Sequence, residues 1–300
     1  DEARACEIWR GLIEHAQRTQ PQITYHFEIG AHLLGERSFE ILQSAPVNLF
    51  QFEAGIQTTE PGALAASGRG VPFSALEPPL KRIANLPAVH LHVDLIAGLP
   101  GETFDSFARS FDDAFSVGAQ MLQLGFLKLL PGCELRRDAD RLGIAYAPDP
   151  PYEVTQAPGL DFADLCRLKD VERVLEWYAN SGKYPLTTRY LLAGKSPFAF
   201  FLALAGDFRA RGFFDRDLGE KERAAALLSA FDAPQTRCLM RHDLLRGGLR
   251  RALPDALSFN ENEEERRLLR QRYRPVRGQS LFNYEYDVLA YEAGGPLEKR

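Results

Sequence analysis

The sequence predicts an α/β protein: the C-terminal part of a partial (β/α) barrel of TIM type, followed by a mostly α-helical domain. Three observations predict it. Strand and helix patterns alternate from residue 1 to about 147, the signature of parallel strands joined by helical crossovers. Three successive strand patterns each carry one apolar and one polar face, whereas a parallel strand covered on both sides is apolar throughout. A barrel or half-barrel whose polar faces line a ligand-holding interior satisfies that pattern. An open antiparallel sheet with one wet face also alternates, but it leaves the helical segments between the strands without a purpose. Beyond residue 152 the apolar residues recur at helical spacing.

Taken in order, 5–19 reads as a helix with Cys6, Ile8, Trp9, Leu12 and Ala16 on one face, ended by Gln20-Pro21. Residues 22–30 read as a strand in which Ile23, Tyr25, Phe27 and Ile29 alternate with Thr24, His26, Glu28 and Gly30. A helix fits 36–45. The strand 49–57 sets Phe50, Phe52, Ala54 and Ile56 against Gln51, Glu53, Gly55 and Gln57. Helical pieces follow at 60–67 and 73–86. The strand 88–97 sets Val89, Leu91, Val93 and Leu95 against His90, His92, Asp94 and Ile96. A helix at 102–117, a strand at 120–129 and a short helix at 134–142 complete this part.

The run Ala147-Pro148-Asp149-Pro150-Pro151 is expected to separate the barrel portion, 1–147, from the helical domain, 152–300. Helices there fit 162–180, 187–194, 197–211, 219–231, 235–246 and 261–272, and the alternating tail 280–291 reads as a strand. Only four barrel strands are readable where a full barrel has eight. The chain also opens on Asp1 directly in a helical pattern. The expectation is therefore the later part of a longer protein.

Composition narrows the function classes. Of 300 residues, 45% are hydrophobic and 26% charged, ordinary values for a globular chain. With 41 acidic and 36 basic residues the net charge is −5, so no global basic field attracts nucleic acid or an anionic membrane, and neither partner is expected. No apolar run approaches the ~18 residues of a membrane span. Four scattered cysteines make no disulfide framework, and the reducing cytoplasm is the expected location.

Chemistry is suggested at the ends of three strands. Asp94-Leu-Ile-Ala-Gly-Leu-Pro-Gly-Glu102 runs from a strand through Gly98 and Gly101 into a helix. Its glycines let a ligand approach the backbone, and Glu102 suits a helix N-terminus; a plain strand-to-helix turn reads equally well. In Phe52-Glu-Ala-Gly-Ile-Gln-Thr-Thr-Glu-Pro61, Gln57, Thr58 and Thr59 stand at a strand end, where they suit a ribose or a carboxylate, with Arg69 downstream as a carboxylate partner; helix capping is the alternative for Thr59-Glu60-Pro61. In Leu124-Gly-Phe-Leu-Lys-Leu-Leu-Pro-Gly-Cys133 a third strand ends in Pro-Gly, and Lys128 either points inward or reaches solvent.

His90, His92 and Asp94 share a strand face and resemble a two-His, one-carboxylate ligand set, but a straight strand spaces such residues ~7 Å apart, so cavity lining is the better reading. Cys6, Cys133, Cys166 and Cys238 form no close-spaced pair; Cys133 is expected near the barrel mouth and the others buried. Arg237, Arg241, Arg246, Arg250 and Arg251 read as a solvated helix face, and Phe198, Phe200 and Phe201 as helix packing. Thr187-Thr-Arg-Tyr190 is also conspicuous, and Tyr284 and Tyr286 in the tail have no assignable role.

The three strand-end motifs, in this order, resemble the radical S-adenosylmethionine (SAM) superfamily, specifically the class with an N-terminal cobalamin-binding domain and a C-terminal domain of unknown function. The resemblance covers residues 1–147. It implies that Glu53, Gln57 and Arg69 contact the ribose and methionyl parts of SAM. It likewise implies that Ile96, Gly98 and the backbone from Phe126 to Lys128 hold the adenine, and that Glu28 lines the cavity near SAM or substrate. Asp94 counts among these pocket residues, although the family pattern usually has Gly there and its acidic residue is offset to Glu102.

The family's C-x3-C-x2-C loop does not occur in the sequence. Its three thiolates hold a [4Fe–4S] cluster that delivers the electron for SAM cleavage. The resemblance thus implies a chain inactive by itself. It implies SAM, a cluster and cobalamin as cofactors of the whole protein, with an electron donor such as flavodoxin or ferredoxin and an unidentified substrate as partners. Two other classes fit the residues: a non-catalytic interaction protein on a degenerate half-barrel, and a metal hydrolase or oxygenase using His90, His92 and Asp94.

Overall fold

A computed structural model of the chain describes residues 1–20, 23–68, 70–248, 253–257, 267 and 286–299. They divide into two compact units, one of residues 1–173 with 196–203 and one of 174–195 with 204–300.

The first unit alternates helix and strand: α1 (Glu2–Thr19), β1 (Tyr25–Glu28), α2 (Glu36–Gln43), β2 (Phe50–Gln57), α3 (Pro61–Ala66), α4 (Phe73–Ala84), β3 (Val89–Ala97), α5 (Phe104–Ser116) and β4 (Met121–Phe126). The four strands form one sheet in the order β1-β2-β3-β4, every pair parallel. This is the predicted α/β class. The register aligns Glu28 with Glu53, Glu53 with His92, and Gly55 with Asp94, so the polar positions lie side by side across the sheet.

The opposite face explains why the strands form. Phe50, Phe52, Leu91, Val93 and Leu95 are fully buried. Trp9 of α1 lies 5.4 Å from the Phe52 ring and 6.4 Å from Phe27. Each such side chain contributes roughly 1.5–3 kcal/mol by leaving water. That driving force selects one register and leaves the polar face to the interior. In α1 the buried residues are Cys6, Trp9, Ile13 and Ala16, while Ile8 is exposed. The helix is therefore rotated from its expected face: Ile13 replaces Ile8. Asp1 caps α1, and Glu2 accepts hydrogen bonds from Gly35 N and Ser38 Oγ, both at 2.8 Å, tying α1 to α2.

After β4 come two short helices, α6 (Glu134–Arg137) and α7 (Ala139–Leu142), in place of the single predicted one. An antiparallel pair, β5 (Ala145–Tyr146) and β6 (Val154–Gln156), follows, and the proline-rich run 147–151 connects its strands. This pair is absent from the sequence-based reading. α8 (Phe162–Leu175) runs into a π-helical turn at Glu176–Asn180. Phe198 packs on Phe107 and Phe111 of α5, and Phe201 on Phe111, as helix packing requires.

The second unit is helical: α9 (Pro185–Leu192), the end of α10 (Pro197–Ala210), α11 (Glu220–Ala230), α12 (Pro234–Arg246) and α13 (Val288–Glu292). The buried Asp243 accepts from Leu186 N, Thr187 N and Thr187 Oγ1 at 3.2, 2.8 and 2.7 Å. It thereby caps α9 and accounts for the Thr187 pair as structure. The arginine row is not one solvated face: Arg241 is buried, Arg237 pairs with Asp232 at 2.5 Å, and Arg246 pairs with Glu292. The described part of the tail is helix rather than strand, with Tyr286 in an isolated bridge to Lys299. The helix predicted over 261–272, all but residue 267, lies outside the described residues, as do Arg69, Arg250, Arg251 and the first half of the tail. Among the described residues no single helix is long and apolar enough to cross a membrane.

Candidate ligand cavity at the strand ends

The polar face opens into a cavity of about 470 Å³, within the range of small-molecule sites. β1 and the turn after it supply Glu28, Gly30 and His32; β2 supplies Glu53, Gly55 and Gln57; β3 supplies Asp94. Leu64, Leu76 and Leu80 of α3 and α4 form an apolar wall. Parallel strands expose backbone and polar side chains at their C-terminal ends, so the ligand position follows from the topology.

The site is acidic and its groups perturb one another. Burial, reinforced by the charges of Glu53 and Glu28, pushes the Asp94 carboxyl up to about 7. Its Oδ1 is buried and has no hydrogen-bond partner among the described residues. Glu53 Oε2 lies 3.2 Å from His26 Nε2. His92 is held below the usual histidine range by burial and by His90, whose ring centre is 4.9 Å away. Its Nδ1 lies 3.4 Å from Gln51 Nε2. The lining is rich in carboxyl groups and suited to a cationic ligand.

Gln57 stands apart in conformation. Its φ is +69°, in the left-handed region that side chains other than glycine rarely adopt. The pairing register shifts between Gly55 and Gln57, and Thr58 N donates to Ile56 O at 2.9 Å, closing a tight three-residue turn. That turn lets Gln57 line the cavity while Thr58 and Thr59 turn the other way. They meet Glu102, Ser110 and Asp113, not the ligand space to which the sequence assigns them. Glu60 is the N-cap of α3 and makes no side-chain capping bond. Likewise Thr103, with Ser106, forms the capping box of α5, and Glu102 is fully buried just before it.

Four of the sequence-nominated residues, Glu28, Glu53, Gln57 and Asp94, thus line one cavity. Arg69 lies outside the described residues, though its neighbours Gly70 and Val71 are in the wall. Ile96, Gly98, Phe126 and Lys128 do not line it. Gly98 has φ +94°, and a Cβ there would sit 3.4 Å from Val154 Cγ1. Phe126 has Lys169 Nζ 5.0 Å from its ring centre, and Lys128 is exposed in an isolated bridge with Glu153. His32 was missed because its short helical turn, Ala31–Leu33, carries no periodic signal. Cys133 is half-buried at the start of α6, Cys166 is exposed, and only Cys6 and Cys238 are buried. Among the described residues no three His, Cys, Asp or Glu side chains converge to hold a metal ion, His90, His92 and Asp94 included.

Fold and site together define an α/β protein with an acidic, ligand-sized cavity at the C-terminal ends of parallel strands. The profile of a family described as a protein of unknown function (DUF4080) matches residues 140–285. The solved structures similar to this chain include radical SAM enzymes. The radical SAM methyltransferase TsrM from Kitasatospora setae, with tryptophan substrate and a SAM analogue bound, is 14% identical over 55% of this chain and 32% of its own, with a TM-score of 0.41. TsrM with cobalamin and a [4Fe–4S] cluster bound is 16% identical over 49% of this chain and 28% of its own, TM-score 0.39. Coproporphyrinogen III oxidase (HemN) from Escherichia coli, a radical SAM enzyme, is 15% identical over 57% and 43%, TM-score 0.33. The chain therefore spans less than half the length of these structures. No curated protein matches it.

Proposed function

We propose that this chain carries the SAM-binding side of a radical SAM enzyme whose substrate is unidentified. The observation that supports the reading best is that Glu28, Glu53, Gln57 and Asp94, nominated by ordered sequence motifs on three strands, line one cavity. The residues fit SAM. Its ammonium and sulfonium are cationic, and the carboxylates of Glu53 and Asp94 answer that charge, the orphaned Asp94 Oδ1 in particular. The Gln57 amide supplies a donor and an acceptor to a ribose or carboxylate. Gly30 and Gly55 are also in the cavity lining, where glycine lets a ligand approach the backbone closely.

The residues do not fit a [4Fe–4S] cluster, which needs three thiolates in one place. We therefore assign the cluster, and a cobalamin site with it, to sequence outside this chain. An electron donor such as flavodoxin or ferredoxin belongs to the same proposal, as do cytoplasmic residence and the inactivity of this chain alone.

Titration calorimetry of the chain with SAM tests the binding role. Saturable binding is expected, weakened at least about tenfold in Glu53→Gln, the loss of one charged contact. Heats that never saturate with millimolar SAM, or an unchanged Kd in the variant, overturn the assignment.

A further inference from the structure

Gln57 brings its side chain to the cavity only because the backbone around it is held in a conformation that the chain disfavours, and the residues that hold it lie behind the cavity wall. Thr58 Oγ1 donates to Glu102 Oε1 at 2.7 Å and accepts from Glu60 N at 3.1 Å. Thr59 N donates to Ser110 Oγ at 2.9 Å, and Thr59 Oγ1 donates to Asp113 Oδ2 at 2.7 Å. The two residues after Gln57 are thereby bonded to one buried carboxyl group and one face of α5.

Glu102 is the least expected member. It is fully buried, and its second oxygen, Oε2, has no hydrogen-bond partner among the described residues. Gly159 crosses so near that a Cβ there would sit 2.7 Å from the Glu102 carbonyl oxygen, so the segment before α8 closes over it. The charged group that acts on it is Glu60, from the turn after β2. Arg109 is engaged by Glu60 at 3.5 Å, and Asp113 by Thr59. Among the described residues no cation pairs with Glu102, and a carboxylate held there has only the Thr58 hydroxyl to answer its charge.

We propose that the Glu102 carboxyl is a positioning residue: it latches Thr58 and so keeps the Gln57 turn, one wall of the cavity, in its ligand-binding shape. Burial holds the proton, pushing the group up to about 8 against the opposing Thr58 bond, with Glu60 adding to the shift. Ionisation places an uncompensated charge behind the turn, and the turn opens to hydrate it. Glu102 touches no ligand; it acts through Thr58 and Gln57. The functional consequence, loss of SAM affinity, rests on the proposed SAM site, while the latch itself does not.

Two readouts separate the two. The first is hydrogen-exchange protection of residues 56–60 between about pH 6 and 9.5, corrected for intrinsic exchange. Protection is expected to fall above about pH 8 in the parent, to persist in Glu102→Gln, which keeps the neutral acceptor, and to be low throughout in Thr58→Val. The second is SAM affinity over the same range. Kd is expected to rise by up to about tenfold per pH unit above pH 8 in the parent and to rise less in Glu102→Gln, against which the ligand's own amine titrates identically. If parent and Glu102→Gln share one pH profile of protection, the latch is overturned. If protection behaves as expected but the parent never binds SAM, the SAM reading falls and the latch stands.

Discussion

Asp94 shows how one residue reports on the whole cavity. Its carboxyl titrates near 3.8 in an unfolded chain and at about 7 in the fold, because burial and the Glu53 and Glu28 charges all penalise its anion. The folded state therefore binds this proton more tightly than the unfolded state. The stabilisation is complete below about pH 4 and is lost progressively as pH rises through about 7. Asp94→Asn removes the titration. Its melting temperature is expected to fall less steeply than the parent's between pH 4 and 8, and to exceed the parent's at about pH 8, where the parent carries the buried anion. Calorimetric or fluorescence melts across that range check this. A cationic ligand reverses the preference, since it favours ionised Asp94. SAM affinity should thus improve from about pH 6 to 7.5 in the parent and not in Asp94→Asn. Asp94 was legible as a cavity residue because its period-two neighbours are histidines. The roles of Thr58 and Glu102 were not legible, because hydrogen-bonding residues at a strand end look alike whether they face a ligand or a neighbouring helix.

At the scale of elements, the turn that ends β2 joins fold and site. A side chain at φ +69° costs on the order of 1–3 kcal/mol, which the anchors on Thr58 and Thr59 offset. Gln57→Gly relieves most of that strain, less the entropy that glycine loses on folding. The variant is expected to be as stable as the parent or about 1 kcal/mol more stable by urea denaturation, yet to bind SAM several-fold more weakly for want of the amide. A loss of stability would mean that the side chain, not the turn, holds the strand end. The major elements were readable in sequence because each buries one periodic face: Phe50, Phe52, Ala54 and Ile56 on β2, Phe107, Phe111 and Ala114 on α5. The elements that escaped lack such a face. β5 and β6 have two and three residues around a proline run, and the π-turn at Glu176–Asn180 continues an apolar pattern that an α-helix would also satisfy.

For the whole molecule, a net charge of −5 disfavours anionic partners from afar, and the interior of the sheet concentrates the same sign. Among the described residues, the titratable groups lining the cavity are three carboxyls, Glu28, Glu53 and Asp94, and His32. A site of this charge should distinguish ligands by a single positive charge even when their shapes match. SAM and S-adenosylhomocysteine provide that comparison, because the second lacks the sulfonium charge and one methyl group. If the carboxylates face the sulfonium end, SAM should bind more tightly by at least about tenfold, about 1.4 kcal/mol, a plausible Coulomb difference at a half-buried site. The gap should narrow as ionic strength rises from about 0.05 to about 0.5 M, since the cavity is open enough to be partly screened. It should also shrink in Glu53→Gln, while the loss of a methyl contact alone would leave it independent of both salt and that substitution. Equal affinities for the two ligands at low salt would mean that the acidic lining serves another cation. The strand-end motifs would then mark a cavity built on the same sheet for a different guest.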